Sequence, residues 1–270
     1  MTRLGQIIGE FVEYVTASTI GGGYAVTETR TRRFDAPPSL TVSSTNGSIA
    51  VRSEDREDVV VDGTWRGRDR SALETATLVD SGGDDEPLHL EVDHGDVASD
   101  VAVELSIAIP EDTAVDRLET ANGEISLSDA TGPADLSTKN GSITAERVAG
   151  PLDVRAHNGE ITVRECAGLE HVETRNGAIQ VELLDLREDA TIRTATGRIE
   201  VALDPAIDVD LTCETNVGGI EVPVLDRSTT GVGKTTVTGT LGAGGPELLA
   251  TAKVGSIEVR ALEPDRVQSG

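Results

Sequence analysis

The phrase Leu136-Ser-Thr-Lys-Asn140-Gly141-Ser-Ile143-Thr-Ala145 recurs 18 residues later as Val154-Arg-Ala-His-Asn158-Gly159-Glu-Ile161-Thr-Val163. The shared pattern is apolar-x-small-x-Asn-Gly-x-Ile-x-Val, and an Ile stands two residues after the Gly in all eight copies. Apolar and polar residues alternate on both sides of the Gly, which is typical of strands with one buried face. So regular a repeat indicates units that fold only against their neighbours.

Five copies keep the Asn-Gly pair, and three replace its Asn. Because Asn and Gly both tolerate positive φ, we expect each pair to form a sharp structural corner. Thr196, Val217 and Val254 replace the Asn in the last three copies, which suggests an end modified for capping or docking. The spacing of 76 residues from Gly47 to Gly123 would fit four coarser repeats. The complete pairs are Asn46 and Gly47, Asn122 and Gly123, Asn140 and Gly141, Asn158 and Gly159, and Asn176 and Gly177.

Two all-β architectures fit this repeat. Asn-Gly between alternating strands is a strong hairpin signal, so an antiparallel meander is one option. The other is a solenoid with one 18-residue rung per repeat, in which equivalent residues stack at about 4.8 Å. Stacking explains why the Asn recurs in register, since Asn side chains hydrogen-bond to one another along a ladder.

The chain divides into four predicted segments. Leu4, Ile7, Ile8, Phe11, Val12 and Val15 recur at helical spacing, so residues 1–33 are expected to form an amphipathic helix and a cap. Residues 34–110 are expected to form irregular β-rich rungs with loops. Residues 111–262 hold the regular solenoid repeats, and residues 263–270 form a tail.

The repeat resembles a known family. Its phrase, the alternating strand Val101-Ala-Val-Glu-Leu-Ser-Ile-Ala-Ile-Pro110 and the turns Gly132-Pro133 and Gly150-Pro151 are similar to the "putative adhesin" β-strand-repeat domain family of unknown function. That family is similar to auto-transporter adhesin head domains and, more distantly, to bactofilins. The resemblance implies a single-stranded, right-handed parallel β-helix. It implies no catalytic residues.

Charge limits the classes of partner. Asp and Glu number 48 against 23 Lys and Arg, so the net charge is −25, which argues against binding nucleic acid. With only three Lys among the cations, the composition resembles that of extreme halophiles. At about 1 M salt the screening length falls to about 3 Å, so we expect the fold to loosen as salt is removed.

No cofactor or metal is expected. Gly231-Val-Gly-Lys234-Thr-Thr ends like a phosphate-binding loop, but a Gly-rich segment follows it where that motif needs a helix. His89, His94, His157 and His171 lack the spacing of metal ligands. Cys166 and Cys213 are expected to be buried and unpaired.

Stacking of the repeats would place nine outward positions of three rungs on one face. Three interpretations remain open: a solvated lattice of mixed charge, a binding face for an acidic or hydroxyl-rich partner, and a glycan-cleaving site with Asp135 and Asp153 as its carboxylates. No aromatic platform for a sugar accompanies them, so a non-catalytic scaffold is favoured. The nine are Asp135, Asp153 and His171, then Ser137, Arg155 and Glu173, then Lys139, His157 and Arg175.

The expected partner is an unknown protein or glycan, with self-association as a further option. We find no signal-peptide pattern and no run of about 18 apolar residues, so a cytoplasmic location is expected. Contact with a membrane is expected only through the N-terminal helix.

Overall fold

A computed structural model describes residues 12–16, 26–83, 86–95, 101–225 and 227–262 of the 270-residue chain. These residues form 22 strands in one continuous sheet, together with one short α-helix and one 3-10 turn. The all-β prediction is confirmed. Within this region no helix is both long and apolar enough to cross a membrane.

The elements are short and follow one another closely. The first half of the chain contains β1 (Val12–Thr16), β2 (Val26–Asp35), β3 (Ser39–Asn46), β4 (Ile49–Glu54), β5 (Asp58–Gly67), α1 (Arg70–Leu73), β6 (Thr77–Gly83), β7 (Glu86–Asp93), β8 (Val101–Pro110), β9 (Ala114–Asn122) and β10 (Ile125–Ser128). The second half contains β11 (Ala134–Asn140), β12 (Ile143–Glu146), β13 (Leu152–Asn158), β14 (Ile161–Ala167), β15 (His171–Asn176), β16 (Ile179–Asp185), β17 (Ala190–Thr196), β18 (Ile199–Leu203), β19 (Val209–Val222), the 3-10 turn (Pro223–Leu225), β20 (Arg227–Leu241), β21 (Glu247–Val254) and β22 (Ile257–Ala261).

Two columns of parallel strands make up the body of the molecule. In the first column, which we call the ladder sheet, the order is β7, β3, β9, β11, β13, β15, β17, β21 and β19. In the second column, which we call the second sheet, the order is β8, β4, β10, β12, β14, β16, β18 and β22. Each rung is one ladder-sheet strand and the second-sheet strand that follows it. The parallel pairing confirms stacked rungs and excludes the meander.

The repeated Ile forms a continuous buried file. Ile143, Ile161 and Ile179 pair directly across adjacent strands of the second sheet. In all eight copies this Ile is at most 1 % exposed. Burying such a side chain stabilises the fold by about 1.5 to 3 kcal/mol, and the side chain lies against its equivalents in the neighbouring rungs. The file explains why the repeat keeps Ile at this position.

The Asn side chains form the expected ladder. The amide nitrogen of Asn140 donates to Asn122 Oδ1, that of Asn158 to Asn140 and that of Asn176 to Asn158, each at 2.9 Å. The ladder ends where Thr196, Val254 and Val217 take the Asn position on successive strands. Both valines are more than 40 % exposed, so this corner becomes apolar at one end of the stack.

The corner itself differs from the prediction at the Asn. Each of the five Asn ends a ladder-sheet strand, and none of the described Asn has a positive φ. The Gly carries the unusual conformation at three of the five corners, Gly47, Gly123 and Gly141, with φ +153° at Gly141. A Cβ there would lie 1.9 Å from the carbonyl oxygen of Gly123 in the next rung, so only Gly permits this stacking distance.

A second row of hydrogen bonds runs beside the Asn ladder. Thr138 Oγ1 donates to the Gly123 carbonyl at 3.1 Å, and Thr174 Oγ1 donates to the Gly159 carbonyl at 3.0 Å. Ala156 lies between these two threonines and is 7 % exposed. The row is therefore interrupted in the middle of the stack.

Changing Ala156 to Thr should stabilise the protein by about 1 kcal/mol, because its hydroxyl would donate to the Gly141 carbonyl as its neighbours do. Urea unfolding at constant salt measures the gain. Ala156→Val is the matched control, since it adds similar volume without a donor. Equal midpoints for the two variants would show that the added hydrogen bond contributes nothing.

The order of the rungs differs from their order in the sequence. Asn46 pairs directly with Asn122, so the predicted four coarser repeats between Gly47 and Gly123 are wrong. That segment supplies one rung, β7 with β8, on the other side of β3 and β4. At the far end β21 pairs with β17 on one side and with β19 on the other, and β22 pairs with β18. The copy in β19 therefore lies beyond β21, although it comes earlier in the chain. The periodicity specifies a rung but not its place, because every copy presents the same apolar pattern.

Antiparallel strands cover both ends of the stack. At one end β6 pairs with β7, and β5 pairs with β8 and also with β2, which in turn pairs with β1. At the other end β20 covers the whole of β19. The predicted N-terminal helix is wrong for Val12 and Val15, which lie in β1, and its other residues fall outside the described region. The segment therefore contributes to the end of the stack as a strand.

Candidate functional site

The three regular rungs of the ladder sheet bring together the predicted surface patch. Asp135 pairs with Asp153 and Asp153 with His171, while Arg155 lies between Ser137 and Glu173. The remaining row precedes the ladder Asn on the same three strands and consists of Lys139, His157 and Arg175. Alternation along each strand directs these side chains away from the core, as the burial pattern of β13 shows. We call these nine positions the polar face.

Ion pairs connect part of the polar face. The Arg155 guanidinium contacts the Asp153 carboxylate on its own strand and lies 3.8 Å from the Asp135 carboxylate on the neighbouring strand. Asp135 also accepts from Arg117 at 3.0 Å. His171 Nε2 lies 3.1 Å from Glu173 Oε2. The two aspartates therefore share one cation.

Burial raises the pKa of the Asp153 carboxyl, and the charge of Arg155 opposes that change. One of its oxygens, Oδ1, has no hydrogen-bond partner among the described residues. A raised pKa is the property required of a general acid, which is the feature that the glycan-cleaving interpretation needs. However, neither Asp135 nor Asp153 lines the groove described next, so the pair is not placed beside the space that could hold a substrate.

A groove of about 560 Å³ crosses six strands of the ladder sheet, from β9 to β21. Two files of outward side chains form its sides, and the backbone around Thr120, Thr138 and Ala156 forms its floor. The first file is Glu119, Ser137, Arg155 and Glu173. The second file is Lys139, His157, Arg175, Ala195 and Lys253, which we call the cation file.

The cation file brings together neighbouring cations that have no carboxylate partner among the described residues. Neither Lys139 nor Lys253 makes an ion pair with any described residue, and Arg175 Nη1 lies 3.2 Å from His157 Nε2. Lys234, by contrast, lies 3.0 Å from Glu214. In a chain with 48 acidic residues, neighbouring cations without carboxylates are unusual. They can bind an anion without first breaking an ion pair.

Sequence reasoning identified only part of this groove. It found Lys139, Arg155, His157, Glu173 and Arg175 but placed Asp135, Asp153 and His171 with them, and these three lie outside the lining. It missed Lys253 and Glu119. Lys253 precedes Val254 as Lys139 precedes Asn140, so aligning the degenerate copy by its Gly would have found it.

The other motifs singled out in the sequence form neither a phosphate-binding loop nor a metal site in the described region. Residues 231–236 lie within strand β20, so no helix begins at Lys234 to bind a phosphate. No group of three His, Cys, Asp or Glu side chains in the described residues could hold a metal ion. Cys166 and Cys213 are buried and free, as predicted, and burial raises the pKa of the Cys213 thiol to about 12.

Solved structures that match this chain are distant in sequence. A "putative cell adhesion protein" from Clostridium sporogenes is 14% identical, with 94% of this chain and 100% of that chain covered and a TM-score of 0.29. A "putative lipid binding protein" from Parabacteroides distasonis is 13% identical, with 88% and 97% covered and a TM-score of 0.42. A "putative adhesin" from Bacteroides fragilis is 12% identical, with 88% and 98% covered and a TM-score of 0.36.

No curated protein matches the chain. A family model does match, and it extends over residues 14–260, from strand β1 to strand β22. This span contains the whole ladder sheet, the second sheet and the groove. The family is described as Toastrack, a domain of unknown function, and the resemblance derived from the repeat is confirmed by it. The chain belongs to the Toastrack DUF4097 family.

Proposed function

We propose that this protein is a non-catalytic, adhesin-like scaffold that binds an anionic partner through the groove of the ladder sheet. The observation that carries the proposal is the cation file, since Lys139 and Lys253 lack carboxylate partners in a protein of net charge −25. The adhesin descriptions of structural neighbours agree with a binding role, although those proteins are too distant to add to the argument.

The rigidity of the stack supports binding. Each corner is held to the next by backbone hydrogen bonds, such as Gly123 N to Asn140 O at 2.9 Å and Gly141 N to Asn158 O at 3.0 Å. The backbone of such a platform loses little conformational entropy when a ligand binds. The side chains of the groove need only choose rotamers, because the strands below them are already in place.

Two other functions have less support. Self-association by end-to-end stacking of parallel rungs has less support, because the antiparallel strands β20, β5 and β6 cover the terminal rungs of the described region. Glycan cleavage would need Asp135 and Asp153 to face the substrate, and they lie outside the groove. Light scattering in molar salt tests the first function, and assays of Asp135→Asn with Asp153→Asn test the second.

A binding panel tests the proposal itself. Immobilised neutral glycans, acidic glycans, acidic proteins and lipid vesicles are each probed with the full chain and with a groove variant that carries Lys139→Ser, Arg175→Ser and Lys253→Ser. The control variant removes three cations from the second sheet instead, through Arg52→Ser, Arg164→Ser and Arg260→Ser.

We expect the full chain and the control variant to bind at least one anionic class on the panel and the groove variant to lose most of that signal. The proposal is wrong if the full chain binds no anionic class, or if the two variants lose binding equally. Circular dichroism of all three proteins shows whether each remains folded.

A further inference from the structure

We propose that the ligand of the groove is a carboxylated polysaccharide, a polyuronate, that lies along the cation file and crosses the strands. This inference rests on the proposed function and names its ligand class. Lys139, His157, Arg175 and Lys253 lie on strands β11, β13, β15 and β21, so they run parallel to the axis of the stack. A linear polymer is the shape of ligand that such a file can contact at every cation.

The length and spacing of the file favour an extended polymer. Adjacent strands are about 4.8 Å apart, so the four steps from Lys139 to Lys253 span about 19 Å. A small anion would contact one or two of these groups and leave the others unused. An extended acidic peptide would repeat its same-face carboxylates every two residues, at about 6.7 Å, and would fall out of register with the cations.

The opposite side of the groove distinguishes a glycan from a polyphosphate. Glu119 and Glu173 place carboxylates at its two ends. Ser137 places a hydroxyl on the strand between those of Glu119 and Arg155. Carboxylates accept hydrogen bonds from hydroxyl groups and repel every anion, so this file suits a ligand that turns hydroxyl groups toward it and its anionic groups toward the cation file. A polyphosphate has no such hydroxyl groups. Proteins that bind single-stranded nucleic acid also stack bases on aromatic side chains, and no Phe, Tyr or Trp lines this groove.

A gap in the file gives a sharp test. Ala195 occupies the cation position between Arg175 and Lys253, where it is part of the lining. The Ala195→Lys change would complete the file with a fourth strong cation between Arg175 and Lys253. A residue that served only the fold would not improve binding when it is changed in this way.

Binding is measured by calorimetry with oligogalacturonate of defined length, with a neutral oligosaccharide of equal length as the reference probe. The KCl concentration is the lowest at which circular dichroism shows the full fold. We expect the full chain to bind the uronate and not the neutral probe, with affinity falling as KCl rises. The groove variant should bind about tenfold more weakly or worse, the control variant should be unchanged, and Ala195→Lys should bind about twofold to fivefold more tightly.

The inference is overturned if the uronate does not bind, if the neutral probe binds equally, or if Ala195→Lys leaves the affinity unchanged. Should the uronate fail while a polyphosphate, an acidic protein or anionic vesicles bind through the same cations, the proposed function stands and only the ligand class is wrong. Failure of every anionic probe removes both.

Discussion

Replacing Gly141 by Ala should lower the free energy of unfolding by about 4 kcal/mol or more, which is at the upper limit of single substitutions. The added Cβ would lie 1.9 Å from the Gly123 carbonyl oxygen, and the backbone at Gly141 has a φ of +153°. Both rungs are fixed by parallel pairing on either side of this corner, so neither can retreat without loss of its own hydrogen bonds. Urea unfolding in molar KCl measures the loss.

Gly132→Ala is the matched control. Gly132 also has a positive φ, +86°, but a Cβ there would meet nothing within 4 Å. The Gly132→Ala substitution should therefore lower the free energy of unfolding by only about 1 to 2 kcal/mol, which is the cost of left-handed backbone for a residue with a side chain. Comparable losses at the two positions would mean that backbone conformation, rather than the stacking distance between rungs, requires the corner Gly.

The sequence predicts the rung well because the rung is a local and periodic object. Alternation around Asn140 and Gly141 placed Ile143 in the core, and the Asn ladder followed from the period of 18. The order of rungs depends on contacts between distant segments, which periodicity does not encode. The copy at Cys213 could have stacked on β17 as well as the copy at Ala250 does, since both present the same apolar pattern.

The residues of the candidate site could likewise be predicted only where the repeat is regular. Residues on the three regular rungs, such as Lys139 and Arg175, could be placed side by side from their spacing alone. Alignment by its Gly assigns Lys253 to the same row but does not give its place in the stack, because its strand pairs with β17 only after the 15-residue strand β20. The helical spacing at Val12 and Val15 misled for another reason: pairing with β2 overrides a weak local periodicity.

Removing salt should destabilise this protein by several kcal/mol and lower its melting temperature by roughly 10 °C or more. At −25 the surface carboxylates repel one another, and about 1 M salt confines that repulsion to about 3 Å, against about 10 Å at 0.1 M. One row of like charges lies on the surface of the stack. Glu200, Glu258 and Glu221 lie side by side on adjacent strands of the second sheet. Calorimetric melting over a KCl series measures the dependence.

Single substitutions separate local repulsion from net charge. Arg198 contacts both Glu200 and Glu258, whereas Glu221 makes no ion pair with a described residue. Glu221→Gln should therefore stabilise the protein by about 0.5 kcal/mol at low salt and hardly at all in molar KCl. Glu104→Gln changes the net charge equally but removes the partner of Arg66, so it should not stabilise at either concentration. Equal gains from both would assign the salt requirement to net charge alone, and a salt-independent melting temperature in the parent protein would contradict the requirement itself.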